Sequence, residues 1–525
     1  MNWFSRFIKN INSATWAAVL FFLCLFVLGI HIYPNYGISW DERAQTEIGE
    51  KNYQYVLGKD SSALQIQDRW YGPAYEFFLH LSQNKSNTQQ LYLSRHRLIF
   101  LTFLTGCLFF YFLCKILLRN PWLALLGVLC LVVSPRIFAD AFYNSKDIPF
   151  LVLIILGLWS MLQFLNHKTF INLIVHTIFS AALVTIRLPG LIIPALTLFG
   201  LIIEVYSKRT TIKSSLAYSS FYLLLGAGFG ILIWPALWPD PLNGFIQAFQ
   251  YMSHFPMDLT MLFMGKYISS LSLPWYYIPV WIGITTPVFY LICFVPGLIT
   301  IVDGQKSWIR REISIDQRNE ILILLTFLLP PLIVILIKSV LYDAWRQMFF
   351  IYPAFLIVSL KGMQWSWAKL NGTLSQLQAA VLSLCILLAG ILPTGLWMIE
   401  NHPYQNVYFN RLAGKDMLTI QQNYVMDYWG LSYREGLEAL LKIDNRPEIS
   451  VNVETDSGVY AVDILPADES FRIKVVSDLK NAEYFIGNYY LHPAPYPYTN
   501  EIYEVIVDNA KILSVFRFTE EERQQ

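Results

Sequence analysis

The chain has 525 residues, 55% of them hydrophobic and only 14% charged, against roughly 25% charged in an ordinary soluble domain. With 16 Trp, 31 Tyr and 36 Phe, this balance excludes a water-soluble globule and points to apolar spans with aromatic residues at their ends. A net charge of +1 gives no sign of nucleic acid as a partner.

After a basic start (Arg6, Lys9), residues 14–33 carry no Asp, Glu, Lys or Arg. The run is long enough to cross a bilayer and has no small-residue cleavage site after it, so it reads as an uncleaved first helix. Further apolar runs follow at about 98–117, 121–138, 148–166, 170–186, 188–205, 216–237, 278–302, 321–338, 348–360 and 376–397. The expected fold class is therefore an all-α polytopic membrane protein of about eleven transmembrane helices.

Lys and Arg accumulate in cytoplasmic loops. With the N-terminus inside, every inner connection is basic: Lys115 and Arg119, then Lys168, then Lys208, Arg209 and Lys213, then Lys306, Arg310, Arg311 and Arg318, then Lys361 and Lys369. Residues 34–96, 136–147, 238–277, 341–347 and everything from 398 onward then lie on the outer side. The first of these loops mixes charge with aromatics, as interfacial amphipathic helices do. The stretch 238–277 sets Pro239, Pro241, Pro256 and Pro274 among Trp238, Phe245, Phe249, Trp275, Tyr276 and Tyr277, which suits a pocket lining or a headgroup-level lid.

From 398 to 525 the composition is that of a small α+β extracytoplasmic domain, set apart from a transmembrane domain at 1–397. A helix is expected at 433–443 and strands at 449–453, 459–464, 471–476, 482–486, 502–507 and 512–518. All six cysteines lie in apolar stretches, so no disulfide framework is expected. No Cys/His pattern has metal-site spacing; no cofactor is expected, and nothing in the sequence supports a divalent cation.

Four outer segments hold residues suited to chemistry. Asp41-Glu42 follows the first span, where one carboxylate of the pair could accept a proton or orient a hydroxyl; a solvated cap on an interfacial helix is the plain alternative. The segment 134–150 packs Arg136, Asp140, Asn144, Lys146 and Asp147 between two spans, which is costly unless the charges are paired or used. Arg187, before Pro189, and Arg346, beside Tyr342 and Asp343, map to the same face; each could grip a phosphate with two donors or snorkel to the headgroups.

In this order, Asp41-Glu42, Arg95 and Asp147-Ile148-Pro149-Phe150 resemble the dolichyl-phosphate-mannose protein mannosyltransferase and aminoarabinose-transferase group of GT-C glycosyltransferases. The segments 134–150, 273–279, 342–346, 402–410 and 427–433 are similar to a little-characterised bacterial branch of that superfamily. The resemblance implies a GT-C-like fold and inverting transfer from a polyprenyl-phosphate-linked sugar to a glycan, lipid or protein acceptor, in a bacterial inner membrane. It implies Asp41 as the catalytic carboxylate, supported by Glu42, with Asp147 as a second acid. Arg95, Arg136, Arg187 or Arg346 would hold the phosphate, with Asp140, Asn144, Lys146 and Tyr342 nearby, and Trp275 and Tyr276 would face sugar or isoprenoid. Gln347 stands where the group has a His after the Arg of that loop. A competing reading is a transporter or flippase of a lipid-linked sugar, which would want mid-helix ionisable groups and paired broken helices; Pro330-Pro331 is the one such break in the sequence.

Overall fold

A computed structural model describes residues 12–253, 255–306, 312–519 and 521–523; Arg6, Lys9, Arg310 and Arg311 lie outside them. Eight helices among the described residues are long and apolar enough to cross a membrane, and the chain is a multi-pass membrane protein with a small α+β unit at its C-terminal end. In chain order the body comprises α1 (Ser13–Ile32), α2 (Glu42–Val56), α3 (Ala74–Ser82), α4 (Thr88–Leu118), α5 (Pro121–Val132) and α6 (Pro135–Tyr143). It continues through α7 (Asp147–Asn166), α8 (Phe170–Ile186), α9 (Ile192–Tyr206), α10 (Ile212–Ile233) and α11 (Pro241–Ser253). After a hairpin of β1 (Thr260–Phe263) and β2 (Lys266–Ser269) come α12 (Tyr277–Thr285), α13 (Val288–Gly304), α14 (Ile315–Ile337), α15 (Tyr352–Thr373) and α16 (Gln376–Glu400).

All the apolar runs read from the sequence fall on these helices, but two are not straight spans. The run at 121–138 is α5 and α6, bent by 70°, and the run at 278–302 is α12 and α13, bent by 119°. Pro135 opens α6 and Pro287 precedes α13, and proline favours exactly such restarts because it has no N–H to give a preceding turn. Asn410 holds the second bend by donating to the carbonyls of Gly283 and Thr286, each at 2.6 Å. By contrast α14 runs unbroken through Pro330 and Pro331, so the break expected there is absent. The segment 136–147, expected as an outer hairpin, is mostly the buried helix α6.

Helices that start at the basic connections begin with a side-chain cap: Asn120, Thr169, Thr211, Ser314 and Ser375 each accept from a backbone N–H of the first turn. At this end Glu204 gathers Lys168, Arg209 and Arg318, each at 2.6 Å, and Arg119 pairs with Asp316. Arg318 also donates to Asn166, the last residue of the buried helix α7. Asp147 opens that helix; its 20 residues separate the two ends by roughly 30 Å, the thickness of a bilayer core.

The C-terminal unit contains α17 (Met417–Gln421), α18 (Tyr433–Ile443), β3 (Ile449–Val453), α19 (Asp456–Ala461), β4 (Ile473–Val475), β5 (Tyr484–Gly487), β6 (Glu501–Val507) and β7 (Ala510–Arg517). Its sheet has the order β4-β3-β5-β7-β6, with β3 parallel to β4 and β5, and β7 antiparallel to β5 and β6. The helix at 433–443 and five of the expected strands are present. The strand expected at 459–464 is instead α19 and a following turn. Parallel β3 and β4 need a crossover between them, and this segment supplies it.

A close helix contact joins α13 to α15. A Cβ on Gly297 would lie 1.9 Å from the Val358 carbonyl oxygen, and one on Gly362 would lie 1.9 Å from that of Cys293. The two backbones touch through paired glycines, as small residues allow in a membrane. Gly362→Val should therefore lower stability by at least about 2 kcal/mol, visible as a lower thermal midpoint of the detergent-purified protein. Gly372→Ala, near the exposed end of α15, should leave that midpoint nearly unchanged.

Candidate active site

Asp41 sits at the N-terminal boundary of α2, and its position is set by its neighbour. Glu42 accepts from the backbone N–H of Ser39 at 2.7 Å and meets His96 Nε2 at 3.0 Å, both side chains fully enclosed. Glu42 is thus occupied in fixing the turn, while the Asp41 carboxylate turns outward, 27% exposed, to Arg346 Nη1 at 3.0 Å.

Asp147 approaches from α7. Its Oδ2 accepts from Arg346 Nη1 at 3.2 Å and from Asn144 at 3.0 Å, and its Oδ1 is 2.5 Å from Arg187 Nη2. Asn144 returns a bond, its oxygen accepting from the Asp147 N–H at 2.8 Å. Behind it Asp140 accepts from Asn144 and Tyr143, each at 2.8 Å, and from Trp429 Nε1 at 3.1 Å. Asp140 and Asn144 therefore orient the site from the rear.

Arg346, almost wholly enclosed, lies between rings: its guanidinium carbon is 4.4 Å from the Trp429 ring centre and 5.1 Å from that of Tyr342, a favourable place for a delocalised cation. Its other amino group is 3.6 Å from Asp343. Arg346 Nε and Arg187 Nε are buried and, among the described residues, donate to no protein atom. Lys146 holds its ammonium 3.6 Å above the Tyr71 ring centre. Three carboxylates (Asp41, Asp147, Asp343) thus meet three cations (Lys146, Arg187, Arg346) at one end of the helical body.

Burial alone would raise the Asp41 pKa, but the charges of Arg346, Lys146 and Arg187 outweigh it and hold the carboxyl below its usual value. Burial, followed by repulsion from Arg187, brings Lys146 down to about 8 in spite of Asp41 and Asp147. Burial pushes Asp343 up to about 6 against the attraction of Arg346. Asp343 and Ala344 have φ of 52° and 64°, consecutive left-handed residues that cost on the order of 1–3 kcal/mol each when not glycine. Tyr490 steadies this loop by donating to Asp343 Oδ1 at 3.0 Å. Gln347, in the place of the expected His, turns back to donate to the Tyr342 carbonyl at 2.8 Å.

Other sequence candidates lie elsewhere. Arg95 is buried against Glu76 at 2.6 Å and Gln83 at 3.1 Å. Arg136 donates to the Tyr408 carbonyl at 3.0 Å and sits over the rings of Phe409 and Trp281. Trp275 is 70% exposed, has Tyr276 edge-on beside it, and lines a cavity with Tyr277 and Leu341. Three residues of the cluster were not singled out from the sequence, Tyr71, Trp429 and Tyr490, and Asp343 stands there only as a neighbour of Arg346. Asp343 and Trp429 lie inside motifs quoted above, whereas one tyrosine in the tail, 147 residues from its partner, carries no local signal. Trp429 is aimed by a turn in which Asp427 accepts from the N–H and hydroxyl of Ser432, at 3.0 and 2.7 Å, and from Asn406 at 3.0 Å. Gly430 closes that turn at φ 71°.

No family model matches the chain, and no curated protein does. Among solved structures the chain is similar to ArnT from Cupriavidus metallidurans bound to undecaprenyl phosphate, at 13% identity over 96% of this chain and 98% of that one, with a TM-score of 0.48. It is similar to the apo state of the same protein at 14% identity, the same coverage and a TM-score of 0.49. It is also similar to the Archaeoglobus fulgidus oligosaccharyltransferase in its apo form, at 11% identity over 80% of this chain and 62% of that one, with a TM-score of 0.44. At these TM-scores the likeness carries no argument, and the chemistry rests on the side chains described above.

Proposed function

We propose that the chain is an inverting glycosyltransferase moving a hexose or pentose from a polyprenyl-phosphate donor to an acceptor hydroxyl. The reaction is placed at the outer face of a bacterial inner membrane, with the N-terminus cytoplasmic and the C-terminal unit extracytoplasmic. The observation that carries this reading is Arg346 held between Asp41 and Asp147, with Arg187 and Lys146 alongside. A cavity of about 480 Å³ supports a lipid-borne donor: it is lined by Val184 and Thr185, in the last turn of the helix that Arg187 caps, and by Tyr222, Trp234 and Phe245.

In this scheme the donor phosphate binds the three cations. The bond between the sugar's anomeric carbon and the phosphate oxygen breaks, and its electron pair leaves on the polyprenyl phosphate, stabilised by Arg187, Arg346 and Lys146. The acceptor oxygen bonds to the opposite face of that carbon, and its proton passes to Asp41. When phosphate engages Arg346, Asp41 loses part of the positive field that depresses its pKa, so donor binding makes it a stronger base. Asp147 keeps Arg187 and Arg346 together.

Undecaprenyl phosphate, the ligand named for one structural neighbour, is the probe. Arg346→Met or Arg187→Met should weaken its binding to the purified protein by about tenfold to a hundredfold, the worth of one charge-assisted hydrogen bond. Asp41→Asn should bind it at least as tightly as wild type while lowering sugar transfer in membranes about 10²- to 10⁴-fold; full transfer by Asp41→Asn would defeat the assignment. Normal transfer with lost translocation of the lipid-linked sugar would favour the flippase reading.

The pH dependence has a definite sign. Lys146 is cationic below about 8, so undecaprenyl phosphate affinity should be full at pH 7 and decline as pH rises through that value. Lys146→Arg should remove the decline, which a titration from pH 6.5 to 9.5 would read directly.

A further inference from the structure

We infer that Trp40 and Tyr490 form the acceptor platform of this site and that the acceptor they receive is a saccharide. The inference rests on the reading of Asp41 as the base and adds the class of molecule that this base deprotonates.

Trp40 immediately precedes Asp41 and remains 38% exposed in a turn whose neighbours Ile38 and Ser39 are enclosed. Its backbone is fixed, since its N–H donates to the Trp429 carbonyl at 3.2 Å. Its ring lies 6.4 Å from that of Tyr490, with the planes only 23° apart. Tyr490 comes from the C-terminal unit and is held on both sides. Tyr489 before it takes φ 55° and is anchored through its hydroxyl to Ser514 at 2.7 Å, and Tyr267 donates to the Leu491 carbonyl after it at 3.0 Å. The Tyr490 hydroxyl is committed to Asp343, so the ring is what it presents.

The two rings therefore stand at the edge of the ion cluster. Asp41 is one residue from Trp40, and Asp343, which Tyr490 contacts, is 3.6 Å from Arg346. The cations acting on Asp41, namely Arg346, Lys146 and Arg187, are committed to phosphate in the scheme above. A nucleophile must approach the anomeric carbon from the face opposite the phosphate, and in this reading it enters past the exposed Trp40 ring, one residue from Asp41. Fixed aromatic faces carry negative charge density and attract the weakly positive C–H face of a sugar ring. The carboxylates beside them accept hydrogen bonds from the hydroxyls on its rim. A preorganised pair of this kind holds one hydroxyl within reach of Asp41.

The test uses the full-length protein in lipid nanodiscs and saturation-transfer NMR with the methyl glycosides of glucose, galactose, mannose and N-acetylglucosamine. At least one glycoside should receive saturation from wild type. Trp40→Ala and Tyr490→Ala should each weaken that glycoside about tenfold, the scale of one aromatic contact, while undecaprenyl phosphate binding by Trp40→Ala stays at the wild-type level. If Trp40→Ala does not fold, Trp40→Gln should lose the glycoside and Trp40→Phe should keep it. Absence of binding by all four glycosides, or binding that survives loss of the Trp40 ring, overturns the inference. A Trp40→Ala protein altered only in its seating in the bilayer would show an interfacial anchor instead, and would overturn it too. Failure of wild type to bind undecaprenyl phosphate would strike the donor reading, whereas intact phosphate binding without glycoside binding strikes the platform alone.

Discussion

A guanidinium shared by carboxylates from distant parts of the chain is the constraint around which this molecule is arranged. Arg346 is enclosed, and a buried charge left without partners costs several kcal/mol. It is balanced by Asp41, which follows the first span, Asp147 at the head of α7, and Asp343 in its own loop. Satisfying one cation therefore pins three segments together. The rings of Trp429 and Tyr342 close over it and limit the water that would otherwise screen these charges.

The same logic of opposed charge works at the other end of the helical body. There Glu204 draws in Lys168 and Arg209 from two connections and Arg318 from the first turn of α14, and Arg318 ties that knot to the last residue of α7. One buried helix thus spans from the cluster of Asp147, Arg187 and Arg346 to a cluster that locks the basic connections. The basic residues that mark cytoplasmic loops in a sequence serve here as structural clasps as well. The tight contact of α13 with α15 and the bend held by Asn410 then set where the loop bearing Arg346 emerges.

The C-terminal unit belongs to the site rather than standing apart from it. Trp429 reaches both Arg346 and Asp140, and Tyr490 reaches Asp343 and faces Trp40. Loss of this unit would leave a strained loop unsupported and a buried cation open to water. In the proposed scheme Asp41 and the cations face the reacting centre and the tail shapes the approach to it.

The sequence alone determined the membrane class, the positions of the apolar runs, the basic connections and most of the small sheet, because these depend on local composition and on periods of two or 3.6 residues. It also brought forward Asp41, Asp147, Arg187 and Arg346, since charged residues bounding apolar spans are costly enough to stand out. Only the tertiary structure decided which of them meet. Glu42 is a carboxylate adjacent to Asp41, yet it turns inward to His96. Arg95 is paired with Glu76, and Arg136 turns its Nε to the Tyr408 carbonyl and its guanidinium over the rings of Phe409 and Trp281. Tyr490 and Trp429 joined the site through contacts across long loops that leave no periodic trace. Pairing of charge depends on side-chain direction and distance in three dimensions, and neither is written in the order of residues.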